Sequence, residues 1–101
     1  MTLLSGLVLP TAEIANLCRR YRVRELAVFG SAARGGMRAG SETDLLAEFQ
    51  PDAPGGLLDY TGLILELSQL LRRKVDLVQR EGLKPLIRKA VLCEAQTIYA
   101  A

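Results

Sequence analysis

The chain has 101 residues, 50% of them hydrophobic and 24% charged, with a formal net charge of +2. That length fills one domain over residues 1–101 and leaves nothing for a second core, and the balance is that of a globular rather than a disordered chain. A charge of +2 is too small to argue for nucleic-acid binding, and a chain with no histidine is poorly suited to zinc sites or histidine-based acid–base catalysis.

A chain of this size buries only roughly two-thirds of its unfolded surface, so a polar residue inside a strand has to be hydrogen-bonded or ligated if it is buried. Cys18 and Cys93 fall in apolar helical stretches and fit no metal-ligand spacing. They are expected as two buried free thiols, which implies a reducing compartment. The apolar run over residues 3–9 has no basic leader and is too short for a signal peptide or a membrane span. The expectation is a soluble, cytoplasmic protein.

Thr11 is the expected N-cap of a first helix, with Ile14, Leu17, Cys18 and Tyr21 at helical spacing and Arg19, Arg20 and Arg22 near its end. Residues 25–29 read as a short buried strand that stops at Gly30-Ser31. Residues 31–34 could begin a helical turn before Gly35 and Gly36 break it, and 35–41 read as a loop. A second strand is predicted over 42–49, with Leu45, Ala47 and Phe49 on one face and Glu42, Asp44, Leu46 and Glu48 on the other. Residues 57–71 return to helical spacing through Tyr60, Leu63, Ile64, Leu67, Leu70 and Leu71, weakened at Gly62. A third strand is predicted over 74–78. Pro85 suits the first turn of a last helix, with Leu86, Ile87, Ala90, Val91 and Ala95 expected to face inward. The order implies an α/β chain, a small sheet with helices packed against it.

Three features carry chemistry. Gly30 and Ser31 stand at a strand-to-helix junction, where backbone N–H groups and a hydroxyl can surround a phosphate; a plain turn with Ser31 as a cap is the alternative. Glu42 and Asp44 are two apart on a strand, so both carboxylates leave one face and repel unless a cation lies between them; a solvated strand start is the alternative. Two-metal phosphoryl transfer supplies such cations, and magnesium needs few protein ligands. Asp76 lies within an apolar strand and calls for a ligand or for an arginine. Together and in this order, they describe a phosphate cradle facing a three-carboxylate metal site.

The same residues resemble the minimal nucleotidyltransferases of the DNA polymerase β superfamily, whose motif is Gly-Ser, ten residues, then Asp-x-Asp. Here Ser31 is followed by ten residues and then by Glu42-Thr43-Asp44; Ala33-Arg34-Gly35 fits the usual Ala-Arg-Gly, Val75-Asp76-Leu77-Val78 the later acidic strand, and residues 83–99 the final helix. The resemblance implies a nucleotidyltransferase fold, a mixed sheet with helices packed on one side and the nucleotide on the other. It implies that Gly30 and Ser31 hold the triphosphate, that Arg34 contacts phosphate, and that Glu42, Asp44 and Asp76 bind two Mg²⁺ ions. Asp76 would sit beside the attacking hydroxyl. Small members of the family are often antitoxins that adenylylate a HEPN-domain RNase toxin, so the implied substrates are ATP, or another NTP, and a toxin hydroxyl.

One residue departs from the pattern. Glu42 stands where the family usually has aspartate, and its carboxylate reaches ~1.5 Å further, while magnesium demands near-ideal geometry. That leaves open an antitoxin that neutralises its toxin by binding alone. Nucleotidylation of a small molecule is a third reading, but it usually comes with an extra acceptor-binding domain.

Overall fold

The computed structural model describes residues 9–30, 43–51 and 57–101. Helix α1 (Thr11–Arg20) buries Ile14, Leu17 and Cys18 on one stripe, with Glu13 in its first turn and Arg19 and Arg20 in its last. Those charges complement the helix dipole. Thr11 is not the cap: Pro10 takes that position, and its carbonyl accepts the Ile14 N–H at 3.0 Å, so Thr11 is already helical. Arg22, at φ 60°, reverses the chain into strand β1 (Val23–Phe29), which starts two residues earlier than the sequence suggested.

Strand β2 (Thr43–Phe49) runs antiparallel to β1, from Phe29 opposite Asp44 to Val23 opposite Phe49. Helix α2 (Leu57–Leu71) then returns the chain so that β3 (Val75–Gln79) lies parallel to β2, the connection that a parallel pair requires. Leu63, Leu67 and Leu71 of α2 are buried four residues apart. Gly62, which weakens that helix, has a packing reason: a Cβ there would stand 2.9 Å from the Tyr21 hydroxyl oxygen. That hydroxyl donates a short hydrogen bond to Glu66 and so ties the end of α1 to α2.

A 3-10 turn (Arg80–Gly82), helix α3 (Pro85–Glu94) and strand β4 (Gln96–Ala100) complete the described chain. The final helix expected to continue to Tyr99 stops at Glu94, and β4 pairs antiparallel with β1. Thr97, Ile98 and Tyr99 are β-formers with a sheet edge available to them. The strand order is β3-β2-β1-β4, a mixed sheet.

Alternation sorts the two faces of the sheet. Leu26 and Val28, Leu45 and Ala47, and Val75 and Leu77 meet α1 and α2 in the main core. Ala27, Leu46 and Leu83 form a smaller cluster, against which Phe29, Val78, Val91, Leu92 and Ala95 pack. Helices α1 and α2 thus share one face, while α3 rests lightly against the other. Of the residues expected inside, Leu86 is 96% exposed, Ile87 is 50% exposed and Ala90 is exposed, while Val91 and, just past the helix end, Ala95 pack, joined by Leu92. Cys93 is exposed as well, so only Cys18 is a buried thiol. No helix among the described residues is long and apolar enough to cross a membrane.

Candidate active site

Opposite strand directions bring three chemistry-bearing positions to one end of the sheet. β1 ends there, and β2 and β3 begin there. Phe29, the residue before Gly30, pairs with Asp44, and Asp44 pairs with Asp76 across the parallel ladder. Adjacent strands lie about 4.8 Å apart, and residues in register point to the same face. The carboxylates of Asp44 and Asp76 therefore leave the sheet side by side, on the face away from the main core. Asp44 is half-buried and Asp76 is exposed.

Gly30 closes this corner. Its φ is +71°, in the left-handed region, and a Cβ built on it would overlap Asp44 Oδ2 and stand 3.3 Å from Asp44 Cγ. The glycine is required twice over, for its backbone and for the carboxylate packed on it. Its N–H donates to Glu94 Oε1 at 2.8 Å, a contact from the last residue of α3. Sequence reasoning missed Glu94. An acid at the end of an amphipathic helix carries no mark that separates it from a solvated one.

Ser31, Arg34 and Glu42 lie outside the described residues. Of the six site residues read from the sequence, Gly30, Asp44 and Asp76 are brought to one corner.

The donor chemistry there suits a hard divalent cation: two carboxylates in register on neighbouring strands, in a chain without histidine. Among the described residues no group of three acids, cysteines or histidines is placed to hold an ion, so Asp44 and Asp76 amount to two of the three expected ligands.

The surroundings hold β3 in place. The Tyr60 hydroxyl of α2 donates a short hydrogen bond to the Leu77 carbonyl, next to Asp76. Burial, and then the nearby Asp76 charge, push the Tyr60 phenol above its ordinary range, so it stays protonated as a donor. Arg80 bridges to Glu48 Oε2 at 3.2 Å on the site face of β2. Thr43, beside Asp44, is fully buried on the core side, and its hydroxyl has no hydrogen-bond partner among the described residues.

Comparison with known proteins bears on the chain as a whole. The model of the nucleotidyltransferase domain family matches residues 13–98. The chain is similar to the protein adenylyltransferase MntA of Thermococcus cleftensis, 42% identical over 84 residues and covering 83% of each chain. A candidate protein adenylyltransferase of Methanocaldococcus jannaschii is 40% identical over 86 residues, 82% of each chain. Among solved structures, a candidate minimal nucleotidyltransferase superposes with a TM-score of 0.73 at 41% identity, covering 85% of this chain and 86% of that one. A toxin–antitoxin complex with AMP-PNP gives the same TM-score, 0.73, over 92% of this chain and 75% of that one; at 19% identity it speaks for the fold.

Proposed function

The chain belongs to the minimal nucleotidyltransferase family, and from that premise we propose that it is a metal-dependent protein adenylyltransferase, moving AMP from ATP onto a hydroxyl of a HEPN-type toxin partner. The observation that carries this reading is the register of Asp44 and Asp76 beside the left-handed Gly30. A pair of acids at the end of a sheet, facing a glycine turn that lets phosphate approach, is what phosphoryl transfer needs. The likeness to MntA, which is named a protein adenylyltransferase, supports a protein acceptor. The toxin–antitoxin complexes of the same fold suggest which kind of acceptor.

In this reading Gly30 and Ser31 hold the triphosphate through backbone N–H groups and a hydroxyl, and Arg34 meets a phosphate oxygen. Glu42, Asp44 and Asp76 would hold two Mg²⁺ ions, which would supply positive charge against the negative charge that develops during transfer. The acceptor oxygen forms a bond to the α-phosphorus as the α–β bridging P–O bond breaks, and pyrophosphate departs. Asp76, the exposed acid, receives the acceptor's proton at a carboxylate oxygen.

The test is transfer of label from α-labelled ATP to a purified HEPN-domain protein in Mg²⁺. Label is expected on the partner, and Asp44→Asn or Asp76→Asn should lower it at least about a hundredfold, the scale of a misplaced reacting group. Glu42 favours a second reading, neutralisation by binding alone. If Glu42 displaces a ligand, Glu42→Asp should raise the rate. If neither form labels the partner while both silence it, the enzyme reading fails.

A further inference from the structure

We propose that Glu94 is an internal placeholder for nucleotide phosphate: its carboxylate occupies the Gly30 N–H in the empty protein, and the triphosphate must displace it, releasing the C-terminal turn of α3. The proposal rests on the reading of Gly30 as part of the phosphate cradle and goes beyond it by naming what holds that donor beforehand.

The Gly30 N–H sits where β1 is running out of partners on its β4 side. Val28 pairs with Gln96, and continuing that antiparallel register by two residues on β1 reaches Glu94. The chain there has already left the strand for α3, so no ladder carbonyl arrives. A buried N–H needs an acceptor. The Glu94 side chain supplies it at 2.8 Å, from 64 residues away in sequence.

The unusual element is the charge. A carbonyl, an asparagine or a glutamine would satisfy the N–H without cost to its neighbours. A carboxylate instead sets a second negative group on the same glycine, where Asp44 Oδ2 already takes the space a Cβ would fill. What a carboxylate offers in exchange is likeness to phosphate: an anionic oxygen accepting a charge-assisted bond from a backbone amide. A phosphate arriving at that amide would meet both an occupied donor and a like charge, so binding and release of Glu94 exclude one another.

The element that carries Glu94 is suited to give way. No residue of α3 is buried, and the helix is held chiefly through Val91, Leu92 and Ala95. Those three contacts lie at the C-terminal turn itself and are only half-buried, so releasing that turn uncovers part of a small apolar cluster and leaves the main core intact. Nucleotide occupancy would thereby be reported to the exposed face of α3, where Leu86 and Ile87 lie open.

The experiment compares wild type with Glu94→Gln and Glu94→Ala, titrating Mg²⁺–ATP and Mg²⁺–tripolyphosphate by calorimetry. Both variants are expected to bind both probes about tenfold more tightly, as one charge-assisted competitor is removed. A second arm needs no variant. In wild type, saturating tripolyphosphate should move the Gly30 amide resonance and speed hydrogen exchange across residues 90–96. Equal or weaker binding in both variants, or a Gly30 amide and a helix end that do not respond, overturns the placeholder and makes Glu94 a fixed brace. That outcome leaves the transfer reading standing, because wild type then binds ATP and can still label its acceptor. A wild type that binds neither probe overturns both.

Discussion

Gly30→Ala tests whether the corner of the sheet is built as described. An L-residue at φ +71° costs roughly 1–2 kcal/mol, and the new methyl overlaps Asp44 Oδ2, adding an overpacking cost of about 1–3 kcal/mol. The sum, roughly 2–5 kcal/mol, should lower the melting temperature of a domain this size by about 10 °C or more. The second cost is shared with Asp44, which gives the test its edge. In an Asp44→Ala background the obstructing carboxylate is gone, so only the backbone strain should remain, and the double mutant should be less destabilised than the sum of the two single changes. Thermal or urea denaturation of the four chains reads that difference directly. Additive effects, or a Gly30→Ala protein that melts like wild type, would refute the packing of Asp44 on Gly30 and with it the geometry of the proposed cradle.

Two further outcomes concern residues away from the chemistry. Thr43→Val replaces a buried hydroxyl that has no partner among the described residues by a methyl of the same shape, so stability should hold or rise by about 1 kcal/mol in urea denaturation; a clear loss would mean that the hydroxyl has a partner. Burial pushes the Cys18 thiol from its ordinary 9.0 up to about 12, against a smaller lowering by Arg19, while Cys93 is exposed. A thiol reagent at pH 8 should count one reactive cysteine in the folded chain and two in guanidinium. Because the folded value of Cys18 lies above the unfolded one, its contribution to stability is complete below pH 9 and is lost as pH rises toward 12, which alkaline melting curves check.

Most elements were legible because their signals were local. Periodicity marked α1 and α2, and alternation marked β2, with Leu45 and Ala47 on the core side and Asp44 and Leu46 on the other. The end of the chain was not legible. Val91, Ala95 and Ile98 keep a helical spacing that favours one continuous helix, and no glycine or proline interrupts it. The switch at Ala95, whose backbone is extended at ψ 133°, follows from the open edge of β1, a tertiary fact that no window of sequence contains. The same blindness misplaced Leu86 and Ile87. Their spacing showed an apolar stripe, but not that it would face away from the sheet.

The site divides along the same line. Spacing could show that Gly30, Asp44 and Asp76 are the residue types that phosphoryl transfer uses, yet 14 and 32 positions separate them in sequence. What unites them is direction. β2 runs against β1, so the end of one meets the start of the other; β3 runs with β2 only because α2 carries the chain back, so its start reaches the same end of the sheet. Had β3 been joined by a hairpin, Asp76 would lie at the far end of the strand from Asp44. Helix α2, which contributes no residue to the proposed chemistry, is therefore what makes a pair of carboxylates possible, and the bond from Tyr60 to Leu77 fixes that strand beside its acid. Glu94 joins them from the opposite flank by a contact that depends on where α3 stops, which is why neither its spacing nor its residue type could have singled it out.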